Sequence, residues 1–360
     1  MLFLKSSIKC TFILIPALFF ADDNLSSISM TTYAQTKGAK LADGWHAPQS
    51  HGIGVTVDTL YWHPKVDGTA FTYSSATSPV VIPLEGTIYE VPFDWSWGFR
   101  AGVFIDTSYD SWNVEAEYTN FREVSSKKLN AGTNSTLVPL KGYTSLASDT
   151  LPVVSCGTAQ SNFDLDYQTA LLDITKTFFI TPSLSVSIFG GLEGAWIDLK
   201  QNSTYSGGSG VAGATLGLGN NNNKVKDKTS LTGIGPSIGV ATHLNCGHGI
   251  SFFVDTSAAL LQCNYKTYHK EIFSGASART IDINTSIRRV TPTAGIILGM
   301  AYDTYFNANA NYLSIKFGYE TVYWWQVYRP IIVSSVTNTV PTLSGNLAFY
   351  GLTLQLALEF

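Results

Sequence analysis

The stretch YGLTLQLALEF, at residues 350–360, alternates strictly between apolar residues and small or polar ones. Its apolar positions are Tyr350, Leu352, Leu354, Leu356, Leu358 and Phe360. A period of two residues is the signature of a β-strand whose two faces meet different surroundings. A chain that repeats this pattern must bury or cover one face of every strand, which restricts it to sheets, sandwiches and barrels.

The same alternation recurs along most of the sequence. Ten segments show it: 53–61, 93–105, 112–118, 165–171, 184–196, 234–244, 250–260, 290–302, 313–325 and 350–360. They are close to the ~9–11 residues that a tilted strand needs to cross a bilayer. The sequence therefore predicts an all-β fold of about 10 strands, and weak hairpin signals at 69–91 and 330–344 extend the range to 10–14.

The connections between these segments alternate in length. Four are short (106–111, 176–183, 245–249 and 303–311) and five are long (63–92, 123–163, 199–230, 265–287 and 326–346). Outer-membrane barrels have short periplasmic turns, long extracellular loops and an even number of strands. A sandwich has no reason to sort its loops in this way. We therefore predict a transmembrane antiparallel up-and-down β-barrel over residues 51–360.

The N-terminal residues indicate export. Two lysines precede an apolar run over residues 10–20, which is too short to span a bilayer but suits a secretory signal peptide. We predict a signal peptide at 1–21, with cleavage as late as residue 34 as the alternative. Residues 22–50 are then a periplasmic segment that precedes the barrel.

Composition and motifs exclude several classes of function. The formal net charge of −4 gives no argument for nucleic acid as a partner. Charged residues make up 13% of the chain, against roughly 25% in soluble domains. His63 and His269 fall on the predicted outer side, but neither belongs to a catalytic motif. No catalytic, cofactor or metal site is therefore predicted, and an outer-membrane enzyme is a distant third hypothesis.

Parity along the strands assigns eleven charged side chains to the lumen. They are Asp58, Asp94, Arg100, Glu115, Glu117, Asp166, Glu193, Asp255, Arg289, Lys316 and Glu320. These are eight acids against three bases, a net charge of −5. Rings of carboxylates favour cations in pores, so the excess predicts weak cation selectivity. The alternative is that the charges pair across a narrow lumen and stabilise it.

Several stretches resemble the chlamydia/Legionella-type major-outer-membrane-protein-like pore-forming family. They are WSWGFRAGVFIDTSYDSWNVEAEYTNF, FDLDYQTALLDITKTFFITPSLSVSIFGGLEGAWIDLKQN, LTGIGPSIGVATHL, DTSAALLQCNY, YLSIKFGYETVYWWQ and GLTLQLALEF. The resemblance implies a Gram-negative outer-membrane porin that passes small hydrophilic solutes and ions. The alternative is a narrow structural or adhesive barrel that acts through its extracellular loops. No catalytic residues are carried over.

The expected partners follow from this interpretation. They are outer-membrane lipids, the small hydrophilic solutes themselves and the outer-membrane assembly machinery, because the terminal strand ending in Phe360 resembles the signal which that machinery reads. Three cysteines remain after export: Cys156 and Cys263 are candidates for an intrachain disulfide, and Cys246 is then odd. The resemblance also implies disulfide-linked envelope proteins or a homo-oligomer as partners.

Overall fold

The computed structural model describes residues 52–75, 86–107, 111–132, 135–142, 154–208, 216–274, 279–306, 311–331 and 343–360. The predicted signal peptide and periplasmic segment lie outside these residues. Among the residues that are described, no helix is long and apolar enough to cross a membrane.

The described chain consists of β-strands. Their bounds are β1 Gly52–Val66, β2 Thr72–Ser75, β3 Gly86–Tyr89, β4 Ser96–Asp106, β5 Trp112–Asn130, β6 Thr136–Pro139, β7 Val154–Ser155, β8 Thr158–Thr181, β9 Leu184–Ser206, β10 Leu216–Gly217, β11 Asn222–Gly247, β12 Ile250–Ser274, β13 Arg279–Phe306, β14 Asn311–Tyr328 and β15 Gly345–Glu359. Ten of them close a ring in the order β1-β15-β14-β13-β12-β11-β9-β8-β5-β4. Neighbours in the ring are antiparallel, so the predicted ten-stranded barrel is confirmed.

The ring is strongly staggered. Followed from Asp58 through β4, β5, β8, β9, β11 and β12, the cross-strand pairs reach β13 at Arg289. Followed the other way, through β15 and β14, they reach β13 at Ala301. The stagger of 12 residues between these positions requires the strands to tilt, typically by ~35–45° in closed barrels.

Four short connections lie at one end of the ring, which we call the turn end. The opposite end is the loop end, where the connections are long except for residues 275–278 between β12 and β13. Two small sheets in the loop-end connections are not part of the ring. They are β3-β2-β6 and the parallel pair β10-β7. The weak hairpin signal at 69–91 corresponds to β2 and β3, so it adds no strand to the barrel. Most of the second signal, at 330–344, lies outside the described residues.

The predicted loop at 265–287 is wrong. β12 continues to Ser274 and β13 begins at Arg279, so only residues 275–278 connect them. β8, β9 and β11 likewise extend into the predicted loops 123–163 and 199–230. The alternation persists in these extensions, but polar residues occupy the outward face and give the segments the composition of a loop.

Apolar side chains cover the outside of the ring near the turn end. Ile238 is 62% exposed and Leu354 is 43% exposed, and both point away from the lumen. The exposed large hydrophobic residues come from every strand of the ring, including Trp97, Trp112, Trp196 and Phe360 at the edges of this band. In water such a surface would be unstable, whereas in a bilayer it faces hydrocarbon, and the ring leaves no open sheet edge there.

The chemistry of the two faces is reversed nearer the loop end. On β8, Leu172 and Ile174 face outward and are about half exposed, while Asp173 faces inward. Eight residues closer to the loop end on the same inward face, Leu165 is completely buried, and Asp166 points outward. β8 therefore leaves the hydrocarbon layer and continues as a strand that is polar outside and mainly apolar inside, while the inward faces of the other extensions also bury polar residues.

Candidate functional site: the barrel lumen

A layer of large side chains closes the lumen at the level where the faces reverse. We call it the aromatic layer, and it consists of Trp62, Phe121, Tyr167, Trp324 and Phe349, each at most 3% exposed. The ring centroids of Tyr167 and Trp324 are 6.0 Å apart. β8 and β14 are five strands apart in the ring of ten, so this contact spans the full width of the barrel. Tyr167 also packs on Phe349 at 4.6 Å.

Arg100 forms a cluster of charges directly beneath this layer. Its guanidinium contacts Asp58 at 3.2 Å, Glu117 at 3.2 Å and Glu320 at 2.7 Å. The cluster is joined to the aromatic layer, because the hydroxyl of Thr353 donates to Glu320 at 2.6 Å and accepts from the indole of Trp62 at 3.3 Å. One cation thus neutralises only part of the charge of three carboxylates.

Further charges line the lumen toward the turn end. Asp173 accepts a hydrogen bond from Ser237 at 2.9 Å, and Lys316 lies 5.7 Å from the ring of Phe253. Glu115 and Glu193 make no ion pair with any other residue that the structure describes. We define the lower-lumen charges as Asp58, Arg100, Glu115, Glu117, Asp173, Glu193, Asp255, Lys316 and Glu320. They comprise seven acids and two bases, a net charge of −5.

The structure places nine of the eleven residues assigned by parity on the inward face: Asp58, Arg100, Glu115, Glu117, Glu193, Asp255, Arg289, Lys316 and Glu320. Arg289 is separate from the others, at the loop end, where it donates a hydrogen bond to Gln326.

Two of the eleven assignments are wrong. Asp94 is exposed and precedes β4, because residues 90–95 are not part of any strand. Asp166 points outward, where it accepts a hydrogen bond from Gln168 at 3.0 Å. Its segment lies in the extension, where the inward residues are the apolar ones. The parity rule fails there because it assumes that an apolar face always meets lipid.

Sequence reasoning missed Asp173 and the polar groups buried at the loop end. In TALLDITK the apolar positions change from odd to even numbers, at Leu172 and Ile174, and this change of phase is the signal that places Asp173 on the lumen face. His269 is 1% exposed and its Nδ1 lies 2.7 Å from Asp227. Nothing local predicts this pair, since it joins two strands whose register is fixed by the ring.

Lys141, at the end of the segment that carries β6, anchors the loop-end chain inside the barrel. Its Nζ donates to the carbonyl of Gly68 at 3.0 Å and lies 5.6 Å from the ring of Tyr328. Burial lowers the pKa of Lys141, while the charge of Asp227 opposes that effect. Tyr205 donates to the carbonyl of Phe71 at 2.6 Å. The loop end of the lumen is therefore filled by the protein's own side chains.

The predicted disulfide between Cys156 and Cys263 is not formed. Both thiols are free and buried, and Cys246 is free and exposed. Cys156 pairs with Leu137 in the loop-end chain, whereas the Sγ of Cys263 packs against Gly233 within the barrel wall. Burial raises the pKa of the Cys156 thiol to about 12.

The closed antiparallel ring, its apolar outer band and its charged lumen define a transmembrane β-barrel of the kind found in bacterial outer membranes. Residues 47–360 match the family described as Legionella pneumophila major outer membrane protein precursor. The chain belongs to this family, so its location in the outer membrane is confirmed and the resemblance seen in its motifs is correct. The turn end is accordingly periplasmic and the loop end extracellular.

Solved structures of other outer-membrane proteins are similar at low sequence identity. The outer membrane protease OmpT of Escherichia coli is 7% identical over 87% of this chain and 98% of its own, with a TM-score of 0.41. A Pseudomonas aeruginosa FadL homologue (7%, 86% and 90%, TM-score 0.25) and the Ralstonia pickettii toluene transporter TbuX (7%, 87% and 90%, TM-score 0.21) are also similar. At these TM-scores the likenesses carry no information about function. No curated protein sequence matches the chain.

Proposed function

We propose that the protein is a narrow outer-membrane porin that passes small hydrophilic solutes and ions and prefers cations. The observation that carries this proposal is the excess of seven acids over two bases among the lower-lumen charges. A filling that served stability alone would pair its charges, because an unpaired charge away from water is costly. Ionisable groups held within a membrane span are functional candidates for the same reason.

Water reaches part of this region. Ser257 faces the lumen, by the parity of β12, and is nevertheless exposed. Glu117 also keeps 19% of its side chain exposed. Hydrated cations can therefore balance the surplus carboxylates from the periplasmic side, and a wall with this charge favours cations over anions.

The aromatic layer supports a second candidate, a closed structural or adhesive barrel that acts through its extracellular end. Barrels of about eight strands are filled by side chains, whereas 16–18 strands leave an aqueous channel. The contact between Tyr167 and Trp324 is the observation in favour of this candidate. A porin of this design conducts only when the aromatic layer moves aside, so its openings are brief and its conductance is low.

Planar-bilayer recordings of the signal-free protein distinguish the two candidates. The porin proposal expects small, brief steps in the wild type and larger, longer ones in the Tyr167→Ala/Trp324→Ala variant. In a salt gradient, the reversal potential should show a preference for cations over anions. The Glu115→Gln/Glu193→Gln variant should move this potential toward zero. Anion preference refutes the selectivity, and silence of both the wild type and the aromatic variant favours the structural barrel.

The partners remain proposals. Lipids surround the outer band, and the terminal strand, with Phe360 65% exposed, is the segment we propose for recognition by the assembly machinery. Cys246 is the thiol we assign to disulfide linkage with envelope proteins or a second copy, because it is the exposed one of the three described cysteines. We propose no catalytic activity, since His269 is buried against Asp227.

A further inference from the structure

The outward face of the extracellular extension carries a concentrated positive charge on one side of the ring. Six bases face outward on β11, β12 and β13, and we call them the basic wall: Lys224, Lys226, Lys228, Lys266, Lys270 and Arg288. The outward acid of the same three extensions is Asp282, so their net charge is +5. The whole chain has a formal net charge of −4, so this asymmetry is local and pronounced.

Like charges lie directly opposite each other across neighbouring strands. Lys226 is the cross-strand partner of Lys270, and Lys228 is the partner of Lys200 on β9. Directly opposed side chains have Cβ atoms about 4.5–5.5 Å apart, and like charges at such positions are destabilising. Lys226 lies two residues further from the membrane than Lys228. It makes no ion pair with a described residue.

Existing carboxylates relieve only part of this repulsion. Lys228 contacts Asp198 at 3.1 Å and Lys270 contacts Asp282 at 3.6 Å. Lys224, Lys226, Lys266 and Arg288 have no such partner within the described part of the chain. An arrangement that places lysines opposite one another with fewer carboxylates than bases is stabilised when an external anion is shared between the bases.

The height of the basic wall above the hydrocarbon layer restricts which anionic groups can reach it. The continuous apolar outward band on these strands ends at Ile234, Leu260 and Val290, and beyond it Ile272 is a single exposed apolar residue among polar ones. Lys228 lies six residues beyond Ile234, and Lys266 six beyond Leu260. With ~3.3 Å per residue and a tilt of ~35–45°, both lie roughly 15 Å above the apolar band. A phospholipid headgroup layer is only ~5–7 Å thick on each side.

We propose that the basic wall binds the phosphate groups on the sugars of an outer-leaflet glycolipid. Arg288, two residues beyond Val290, is at the height of the first phosphates, and Lys266, Lys228 and Lys226 are at the heights of phosphorylated sugars further out. Clusters of four to eight bases beside a membrane surface recognise anionic lipids. The wall faces outward from a barrel embedded in that leaflet, so the glycolipid is its immediate neighbour and the proposal does not depend on conduction.

Binding of a purified lipopolysaccharide with phosphorylated core sugars tests the proposal. The full mature protein in zwitterionic detergent is titrated with this probe, with the same probe after dephosphorylation, and with phosphatidylglycerol vesicles. Lys226→Gln/Lys270→Gln should weaken binding of the phosphorylated probe about 10- to 30-fold, since each base near such a surface contributes several-fold. Higher salt should weaken the wild type more than this variant.

Arg122→Gln/Lys128→Gln is the matched control, because it removes two outward charges from β5, across the ring from the basic wall. Its affinity should stay within about twofold of the wild type. Without the probe, Lys226→Gln/Lys270→Gln should melt at or above the wild-type temperature, because it removes opposed like charges. Equal binding of the dephosphorylated probe, equally tight binding of the vesicles, or equal losses in both variants would overturn the proposal.

Discussion

Arg100 shows at the scale of one residue how the lumen is held together. Its guanidinium contacts carboxylates from β1, β5 and β14 and lies 5.7 Å from the ring of Trp62. The contact with Glu320 joins strands three apart in the ring, so it ties the wall across part of the lumen as well as balancing charge. A lysine could not make all these contacts, because it lacks the planar fork of donors.

Replacing Arg100 by Leu should strongly destabilise the barrel. Removing one partner of a buried ion pair costs about 3–5 kcal/mol, and here three carboxylates would lose their common cation. The free energy of unfolding in urea, measured in detergent, checks this expectation. Arg122→Leu is the control, because its side chain is 63% exposed and its pair with Asp164 should contribute less than about 1 kcal/mol. Equal losses in the two variants would show that the Arg100 cluster has no special role.

The three described cysteines should differ in reactivity. Only the thiolate reacts readily, and burial raises the pKa of Cys156 to about 12, while Cys246 is exposed. The folded signal-free protein should therefore react with one equivalent of a maleimide at pH 7.5, at Cys246, and with three after denaturation. Peptide mapping identifies the labelled residue, and rapid labelling of Cys156 or Cys263 in the folded protein contradicts their burial.

Lys141 should make stability depend on pH at alkaline values. Its pKa is below the ordinary 10.5 in the folded protein, so the unfolded chain binds more protons between the two values. Stability should therefore rise as the pH increases from the folded pKa toward 10.5, because the buried amine loses its charge. Lys141→Met should not show this contribution. As the pH rises, the free energy of unfolding of the wild type should therefore increase relative to that of the variant. A constant difference contradicts the burial of a charged amine.

At the scale of the strand, the sequence predicts the existence of each element better than its length. The period of two residues marks all ten strands of the ring, because half of each strand faces lipid. Their extensions are not recognised, since 265–287 reads as a polar loop until the pairing of Lys266 with Ser286 is known. The same limit explains Asp166: alternation shows that two faces differ, but not which one meets lipid.

The two strand prolines also illustrate what depends on the ring. Pro236 pairs with Leu192 on β9, but the cross-strand pairs with β12 are interrupted there, between Ile234 and Ser237. Pro292 pairs with Leu260 on β12, and the pairs with β14 begin only at Thr293. Each proline thus occupies an unpaired position on one side. A closed barrel without edges accommodates them in this way, which composition alone does not predict.

Hydrogen exchange should reveal the strand extensions directly. Residues 265–273 pair with β11 on one side and β13 on the other, so their amides should exchange slowly, and so should those amides of 279–287 that point toward β12. Exchange of the refolded protein in detergent, followed by mass spectrometry of peptides, measures this. Peptides from 250–260 provide the internal standard for a protected strand. Exchange of 265–287 at the rate of an unfolded peptide would contradict these strand extensions and support a loop there.

At the scale of the whole molecule, one continuous sheet crosses two environments. Near the periplasm it is apolar outside and charged inside, as a membrane barrel requires. Beyond the aromatic layer it is polar outside, and its interior is packed with buried apolar side chains and hydrogen-bonded polar ones, as in a water-soluble barrel. The aromatic layer lies where these regimes meet, and it lets one ring of strands serve as a membrane anchor and as an extracellular body.

Nitroxide scanning along β8 tests this reversal most directly. Single cysteines at 164–174, in a background without the natural cysteines, are labelled in lipid bilayers and exposed to oxygen or to a water-soluble nickel complex. Labels at 172 and 174 should respond to oxygen, those at 164 and 166 to nickel, and those at 165 and 167 to neither. If the labels at 164 and 166 respond to oxygen instead, or those at 165 and 167 to nickel, the reversal of the two faces is contradicted.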